Sequence, residues 1–328
     1  MTPPVFANPF VAATEDDPVW ILDGGLATTL ESRGFDLDDP LWSARLLVEA
    51  PEAIRRAHAD FLEAGADCIA TASYQASLEG FAARGIDRAQ GEALLHRSVA
   101  LAVEARDAFW RDARVAEGRS AAGTTRRRPL VAASVGPYGA FLADGSEYTG
   151  RYPVGRPGLE AFHRKRWHLF AQSEADLLAC ETIPSGEEAR VLLGLMAETP
   201  DTPAWLSLSC RDTRRLCDGT PIEDVALLCD RVPNLVAVGV NCTDPSSIEA
   251  ILTELRRSTD KPLIAYPNAG GLYEIESRSW SSTPAPDGWL GASHEWRRLG
   301  ARAVGGCCRI GPGTISALRV ALVNKQSE

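Results

Sequence analysis

Short apolar runs alternate with longer amphipathic stretches over almost the whole chain. The runs are Val19–Leu22, Asp67–Ala72, Leu130–Val135, Asp176–Cys180, Ala204–Ser209, Leu235–Val240, Pro262–Ala265 and Ala303–Val304. Near-continuous apolar character, instead of strict alternation, is the pattern of strands buried on both faces of a parallel sheet. Between them lie stretches of helical period. Pro51–Ala64 opens on a proline suited to a first helical turn and stops at Gly65. Gln90–Arg111 brings Leu94, Leu95, Val99, Val103 and Phe109 near one face. Gly158–Ser173, Ser185–Ala197, Pro245–Arg257 and Pro312–Val323 supply further helices. Eight such alternations predict an α/β fold, a single-domain (β/α)8 TIM-type barrel over 18–325, behind an N-terminal extension of residues 1–17. A doubly wound open sheet is the competitor, but no Gly-x-Gly-x-x-Gly follows the first run. Ala116–Pro129 and Glu274–Ser293 are expected as excursions; the second, with Trp280, Pro284, Pro286 and Trp289, follows the seventh strand beside the barrel mouth.

Charge narrows the partners. A net charge of −10 and a pI near 5.1 argue against nucleic acid and anionic membrane surfaces. No apolar run approaches the ~18 residues of a membrane span, and no secretory signal is expected at Met1–Pro18. The basic cluster Arg126-Arg127-Arg128 follows Gly123-Thr124-Thr125 and reads as a solvated loop. Eight cysteines without tight regular spacing do not make a disulfide framework, and a reducing cytoplasm is the expected compartment.

In a barrel, the residues that follow the strands gather at one face. That brings together Asp23-Gly24-Gly25, Ser73-Tyr74-Gln75, Gly136-Pro137-Tyr138, Glu181-Thr182, Cys210, Asn241-Cys242, Tyr266-Pro267-Asn268 and Cys307-Cys308. Adjacent thiols such as Cys307 and Cys308 are poor disulfide partners, but both reach one soft metal ion if Gly305-Gly306 lets the backbone bend. Cys242 ends the sixth strand, one strand away from the eighth. Three thiolates make a zinc site with an open fourth position, which implies chemistry. Such an ion is a weak generator of hydroxide but suits a fourth thiolate that stays nucleophilic, so the reaction class is alkyl transfer to sulfur. Cys210, Cys68, Cys180, Cys217 and Cys229 read as packing residues, and none of His58, His96, His163, His168 and His294 falls at a strand end.

These blocks resemble the homocysteine S-methyltransferases over nearly the whole chain: Ile21-Leu22-Asp23-Gly24-Gly25-Leu26-Ala27-Thr28, Thr71-Ala72-Ser73-Tyr74-Gln75-Ala76-Ser77, Ser134-Val135-Gly136-Pro137-Tyr138-Gly139, Glu181-Thr182-Ile183-Pro184, Gly239-Val240-Asn241-Cys242-Thr243, Tyr266-Pro267-Asn268 and Gly305-Gly306-Cys307-Cys308. The resemblance implies a barrel with one Zn²⁺ per chain on Cys242, Cys307 and Cys308. It also implies homocysteine as methyl acceptor and methionine as product. Asp23 and Glu181 are then expected at the substrate's ammonium, with the Gly24-Gly25 backbone close by. Ser73, Tyr74, Gln75, Asn241 and Asn268 complete the expected substrate contacts, one of Tyr74 and Gln75 pointing away from the mouth.

The donor is narrowed in the same way. The chain has no room for cobalamin and folate modules, and it ends at Glu328, soon after Cys308, without the long arm of the betaine-using branch. The resemblance therefore points to a sulfonium donor, S-methylmethionine or S-adenosylmethionine, cradled by aromatic faces such as Tyr74, Tyr138 or Trp289, and to a monomer or weak homodimer. One departure stands out: Ala269-Gly270-Gly271-Leu272 replaces the Ser-Gly and polar residue expected after Asn268. The rival readings are a betaine-type or other thiol or selenol methyltransferase, a zinc hydrolase with Glu181 as base, and a redox module cycling Cys307-Cys308.

Overall fold

Strand pairing closes the chain on itself. In the computed structural model the described residues are 7–11, 17–37, 42–117, 126–271, 273–274, 279–280, 285 and 287–324. Eight strands run parallel: β1 Trp20–Ile21, β2 Cys68–Ala70, β3 Leu130–Val135, β4 Leu177–Ile183, β5 Ala204–Leu208, β6 Leu235–Asn241, β7 Leu263–Tyr266 and β8 Ala301–Val304. Each pairs with its neighbour in sequence, and β8 pairs with β1. A parallel bridge from Leu22 to Cys68 closes the ring between β1 and β2. The (β/α)8 barrel expected from the sequence is the fold.

Alternation along the strands builds two cores. Val131, Ala133, Leu178, Cys180, Leu206, Leu208, Val238, Val240, Leu263 and Ala265 face the surrounding helices. Their neighbours Ala132, Leu177, Ala179, Trp205, Ala237, Ile264, Tyr266 and Ala303 fill the lumen. Capping follows the sequence signals. Helix Pro51–Ala64 has Pro51 in its first turn and ends at Gly65, whose φ of +115° admits the Leu62 and Phe61 carbonyl bonds that close it. Helix Pro245–Ser258 starts at Asp244, whose carboxylate accepts from the Ser246 N–H. Helix Ile222–Cys229, between β5 and β6, is one the sequence pattern missed. Its eight residues follow a hairpin-like detour, with bridges Cys210–Leu216 and Arg215–Pro221, that hides the period.

The floor of the barrel is sealed from outside the strands. Phe10, 1% exposed, sits edge-on to Trp20 and Trp205 at 5.8 and 6.2 Å. The Asn8 side chain donates to the Val236 carbonyl and Trp20 donates to that of Pro9. Residues 7–11 of the expected extension thus plug the lumen. The arginine cluster, expected in solvent, is docked here too. Arg126 lies over the Phe109 ring and donates to the Leu62 and Ala66 carbonyls, capping the end of helix Pro51–Ala64. Arg127 stacks on Trp20 at 4.3 Å, and Arg128 pairs with Asp107. Planar guanidinium groups cover aromatic faces while satisfying carbonyls, which a composition count does not reveal. Residues 118–125, most of the expected 116–129 excursion, lie outside the described residues, as do 275–278, 281–284 and 286 of the later one.

Asp67 ties the seam between β1 and β2. One of its oxygens accepts from the Ile21 N–H and the other from Arg319, and the residue is 1% exposed. Arg319 is partly exposed and also donates to the Gly65 carbonyl, so the main loss in Asp67→Ala is the acceptor of the buried Ile21 N–H. That variant is expected to lower unfolding stability by about 1–3 kcal/mol, read from a urea melt.

Candidate active site

Three thiols meet at the mouth. The sulfurs of Cys242, Cys307 and Cys308 all lie within 4.8 Å of one another, and those of Cys242 and Cys308 are 3.5 Å apart. Alternation places Asn241 toward the lumen and would send Cys242 outward. A φ of +48° at Cys242 breaks that alternation and turns its sulfur to the other two. The β8 side is set by hydrogen bonds: Cys307 N–H donates to the Pro267 carbonyl and the Cys308 carbonyl accepts from Ala269 N–H.

Gly305 and Gly306 act differently from the flexible hinge expected of them. Neither has a positive φ. A Cβ on Gly305 would come within 2.5 Å of the Leu22 Cβ, and one on Gly306 within 2.1 Å of Ile310 Cγ2. They are glycines because the chain packs against β1 and the turn that follows. Gly25 is equally confined, its Cβ position lying 2.8 Å from the Cys307 carbonyl oxygen.

Asn241 holds this arrangement from behind. A β-bulge in β4, between Cys180 and Ile183, puts Thr182 at φ +59° and takes its N–H out of the ladder. That N–H donates to Asn241 Oδ1 at 2.7 Å, which also accepts from the Ser207 hydroxyl at 2.7 Å. Asn241 Nδ2 donates to Thr182 Oγ1 at 2.7 Å and faces the Cys307 sulfur at 3.7 Å. One amide therefore links β4, β5, β6 and the thiol at the end of β8.

In front of the thiols lies a cavity of about 940 Å³, lined by Asp23, Gly24, Gly25, Tyr74, Gln75, Glu147, Tyr148, Glu181, Thr182, Tyr266, Arg309 and the three cysteines, among others. Asp23 accepts from the Ala70 N–H at 2.8 Å, and Glu181 accepts from the Ser134 hydroxyl. Burial raises Asp23 well above the usual carboxylate range, and nearby Glu181 adds to it. Burial also pushes Glu181 up to about 7, against opposing hydrogen bonds from Ser134 and Tyr266. Among the thiols, Cys308 falls well below its usual range because Cys242 and Cys307 donate to it. Cys242 rises well above, its proton engaged with Cys307 and Cys308.

Other expected contacts lie behind the cavity surface. Ser73 is fully buried and donates to the Ser134 carbonyl. Asn268 accepts from the Gly270 N–H and is 3% exposed. Of the three aromatic candidates, Tyr74 lines the cavity. Tyr138 packs with Phe141, Tyr152 and Phe162, and Trp289 stacks on Trp296 at 5.3 Å. Both Tyr74 and Gln75 reach the wall, Gln75 donating to the Ala140 carbonyl. Cys210 stays apart from the metal-type cluster, the one such group among the described residues. His163 is a buried support between Glu188 (Nε2 to Oε1 2.7 Å) and Arg166 (Nδ1 to Nη2 3.1 Å), and that arginine donates to the Gly136 and Ala76 carbonyls behind the mouth.

The sequence reading missed Glu147 and Tyr148, in the loop after β3. Tyr74 donates to Glu147 Oε2 at 3.0 Å. Burial pushes Glu147 up to about 7, opposed by that hydrogen bond, and burial with the Glu147 charge keeps the Tyr148 phenol protonated. An acidic and an aromatic residue side by side after Asp144-Gly145, in a strand-to-helix loop on the mouth side, were the available signal.

The sequence model described as homocysteine S-methyltransferase matches residues 20–322. This chain belongs to that family. It is 46% identical to the homocysteine S-methyltransferase of Escherichia coli, the alignment covering 95% of this chain and 98% of that one. It is 43% identical to homocysteine S-methyltransferase YbgG of Bacillus subtilis, over 95% and 96%. Its fold matches the metallated form of the Escherichia coli homocysteine methyltransferase MmuM with a TM-score of 0.81, at 44% identity, covering 95% of this chain and 99% of that one. In this member of the family, the three sulfurs converge closely enough to be offered to one ion, and the donor set is all thiol.

Asn241→Ala strands the bulge N–H of Thr182 and the Ser207 hydroxyl, and each buried unsatisfied group costs about 1–3 kcal/mol. The variant is expected to lose about 3 kcal/mol of stability in a denaturant melt, and to bind metal more weakly in an equilibrium titration against a chelator.

Proposed function

We propose that this protein transfers a methyl group from a sulfonium donor, S-methylmethionine or S-adenosylmethionine, to the sulfur of homocysteine, giving methionine. The three-thiol cluster opening onto a cavity lined by Asp23, Glu147 and Glu181 carries this reading. Family membership supports it. The metal we assign is Zn²⁺, one per chain, on Cys242, Cys307 and Cys308. When bound, such an ion offers a fourth place to a substrate sulfur and keeps that sulfur deprotonated at neutral pH.

The protein's own part is to hold two substrates in line. Asp23 and Glu181 take the homocysteine ammonium, and the Gly24-Gly25 backbone, confined against Ile310 and Cys307, leaves room for its carboxylate. That fixes the acceptor sulfur toward the cysteines. The cavity is large enough for two amino-acid-sized molecules, so the donor enters beside the acceptor instead of replacing it. A new carbon–sulfur bond to the acceptor forms as the methyl–sulfonium bond breaks, and the electron pair of that bond stays on the donor sulfur, which leaves as a neutral thioether. Holding both molecules at contact distance supplies much of the rate. Free thiols at all eight cysteines suit a reducing cytoplasm.

The zinc-loaded protein is expected to form methionine from homocysteine with one of the two donors, detected by chromatography. Cys307→Ala and Cys242→Ala are expected to lose both zinc and product. No product with either donor at one bound zinc sinks the reading. Because Glu181 holds its proton up to about 7 instead of its ordinary 4.5, only its ionised form above that pH attracts an ammonium. Affinity for methionine, which has no thiol to titrate, is expected to rise as pH increases through about 7, and Glu181→Gln to flatten the rise in calorimetric titrations. By the same linkage the ligand-free protein carries a stabilising proton on Glu181 at pH below 4.5 and loses that contribution as pH rises through about 7.

A further inference from the structure

The cavity wall carries more acid than one amino-acid acceptor uses. Asp23 and Glu181 act on each other and form a single pole. Glu147 belongs to a different segment, built to place it. Gly145 and Gly150 have φ of +84° and +65°, Asp144 accepts from the Ser146 N–H at 2.9 Å, and Gly150 N–H donates to the Ser146 carbonyl at 2.8 Å. A Cβ on Gly139 would lie 2.4 Å from the Glu147 nitrogen, and one on Gly150 2.6 Å from the Pro184 carbonyl oxygen. The loop is thus pressed onto the helix after β3 and the end of β4. Glu147 keeps its carboxylate against the Tyr74 hydroxyl, and Tyr74 and Tyr148 line the cavity with it.

A carboxylate beside two aromatic rings is an arrangement for a compact, weakly hydrated cation, with charge attraction from the acid and quadrupole attraction from the rings. Glu147 and Tyr148 line the same cavity as Cys242, Cys307 and Cys308, so a cation held there faces the thiol cluster. We propose that Glu147, flanked by Tyr74 and Tyr148, is the counter-ion of the donor's sulfonium and sets the preference for a cationic donor. This rests on the sulfonium reading above. The chemistry also fixes which constant it affects. The sulfonium charge disappears as the methyl leaves, so attraction from Glu147 is stronger in the ground state than in the transition state. It is a binding determinant: its loss raises donor KM and does not lower kcat.

The test uses the full-length zinc-loaded protein at saturating homocysteine and at a pH above about 7, where Glu147 is ionised, with two dead-end isosteres competing against S-methylmethionine. One, 2-amino-4-(dimethylamino)butanoate, is cationic on its side chain at neutral pH. The other, 2-amino-5-methylhexanoate, has the same shape and no side-chain charge. The unsubstituted protein is expected to bind the cationic isostere about tenfold or more tightly than the neutral one. E147Q is expected to bring that ratio close to one and to raise donor KM by a similar factor, leaving homocysteine KM within about twofold and kcat undiminished, while E147D retains most of the preference. An unchanged ratio in E147Q overturns the inference, as does an equal rise in homocysteine KM. Should E147Q fail to fold, Tyr148→Leu carries the test: the ratio falls about threefold if the ring contributes, and an unchanged ratio counts against the site. A lack of preference in the unsubstituted protein overturns the sulfonium reading itself, a result distinct from an E147Q that keeps a preference the parent has.

Discussion

The amide of Asn241 is the contact on which the mouth of this barrel depends. A closed ring of parallel strands gives every inner backbone group a partner, so a bulge anywhere strands one. One such bulge is in β4, where it follows the inward-facing Glu181 and returns Ile183 to the helix-side core. The freed Thr182 N–H is satisfied by a side chain from two strands away. The same side chain reaches the Cys307 sulfur with its other end. Acceptor pole and thiol cluster are thereby held by one planar group with no rotatable bond between its two ends.

Much of the fold was legible because buried parallel strands are hydrophobic on both faces, and such runs are difficult to hide. Leu130–Val135 matches its expected bounds, and β4 extends past Cys180 only because the expected strand stopped at the first acid, Glu181. The thiol cluster was legible for a related reason. Strand order in a barrel follows chain order, so Cys242 and Cys307 were bound to come within one strand of each other.

What was not legible depends on contacts rather than on pattern. Gly305 and Gly306 looked like freedom and are confinement, a difference fixed by Leu22 and Ile310 far away in sequence. Arg126 and Arg127 looked like solvent-exposed charge and lie on aromatic rings. Ser73 and Asn268 sit at strand ends as expected, but their polar atoms are engaged by the protein itself. Glu147 was passed over because its loop has no periodicity, only turn chemistry at Asp144, Gly145 and Gly150.

The two sides of the cavity also differ in how they are joined to the rest of the molecule. Gly306 N–H donates to the Asp23 carbonyl, so the first and last strands form a single corner that carries both Asp23 and two of the thiols. A substitution there disturbs everything at once. The loop bearing Glu147 and Tyr148 lies within one excursion of the chain, between Gly139 and Gly150, and shares no strand with the thiols. Substitutions in that excursion reach the Glu147 side of the cavity without touching a strand that carries a thiol. One side of the cavity is therefore woven into the closure of the barrel and the other is carried by a single excursion, and the boundary between them runs through the middle of the cavity.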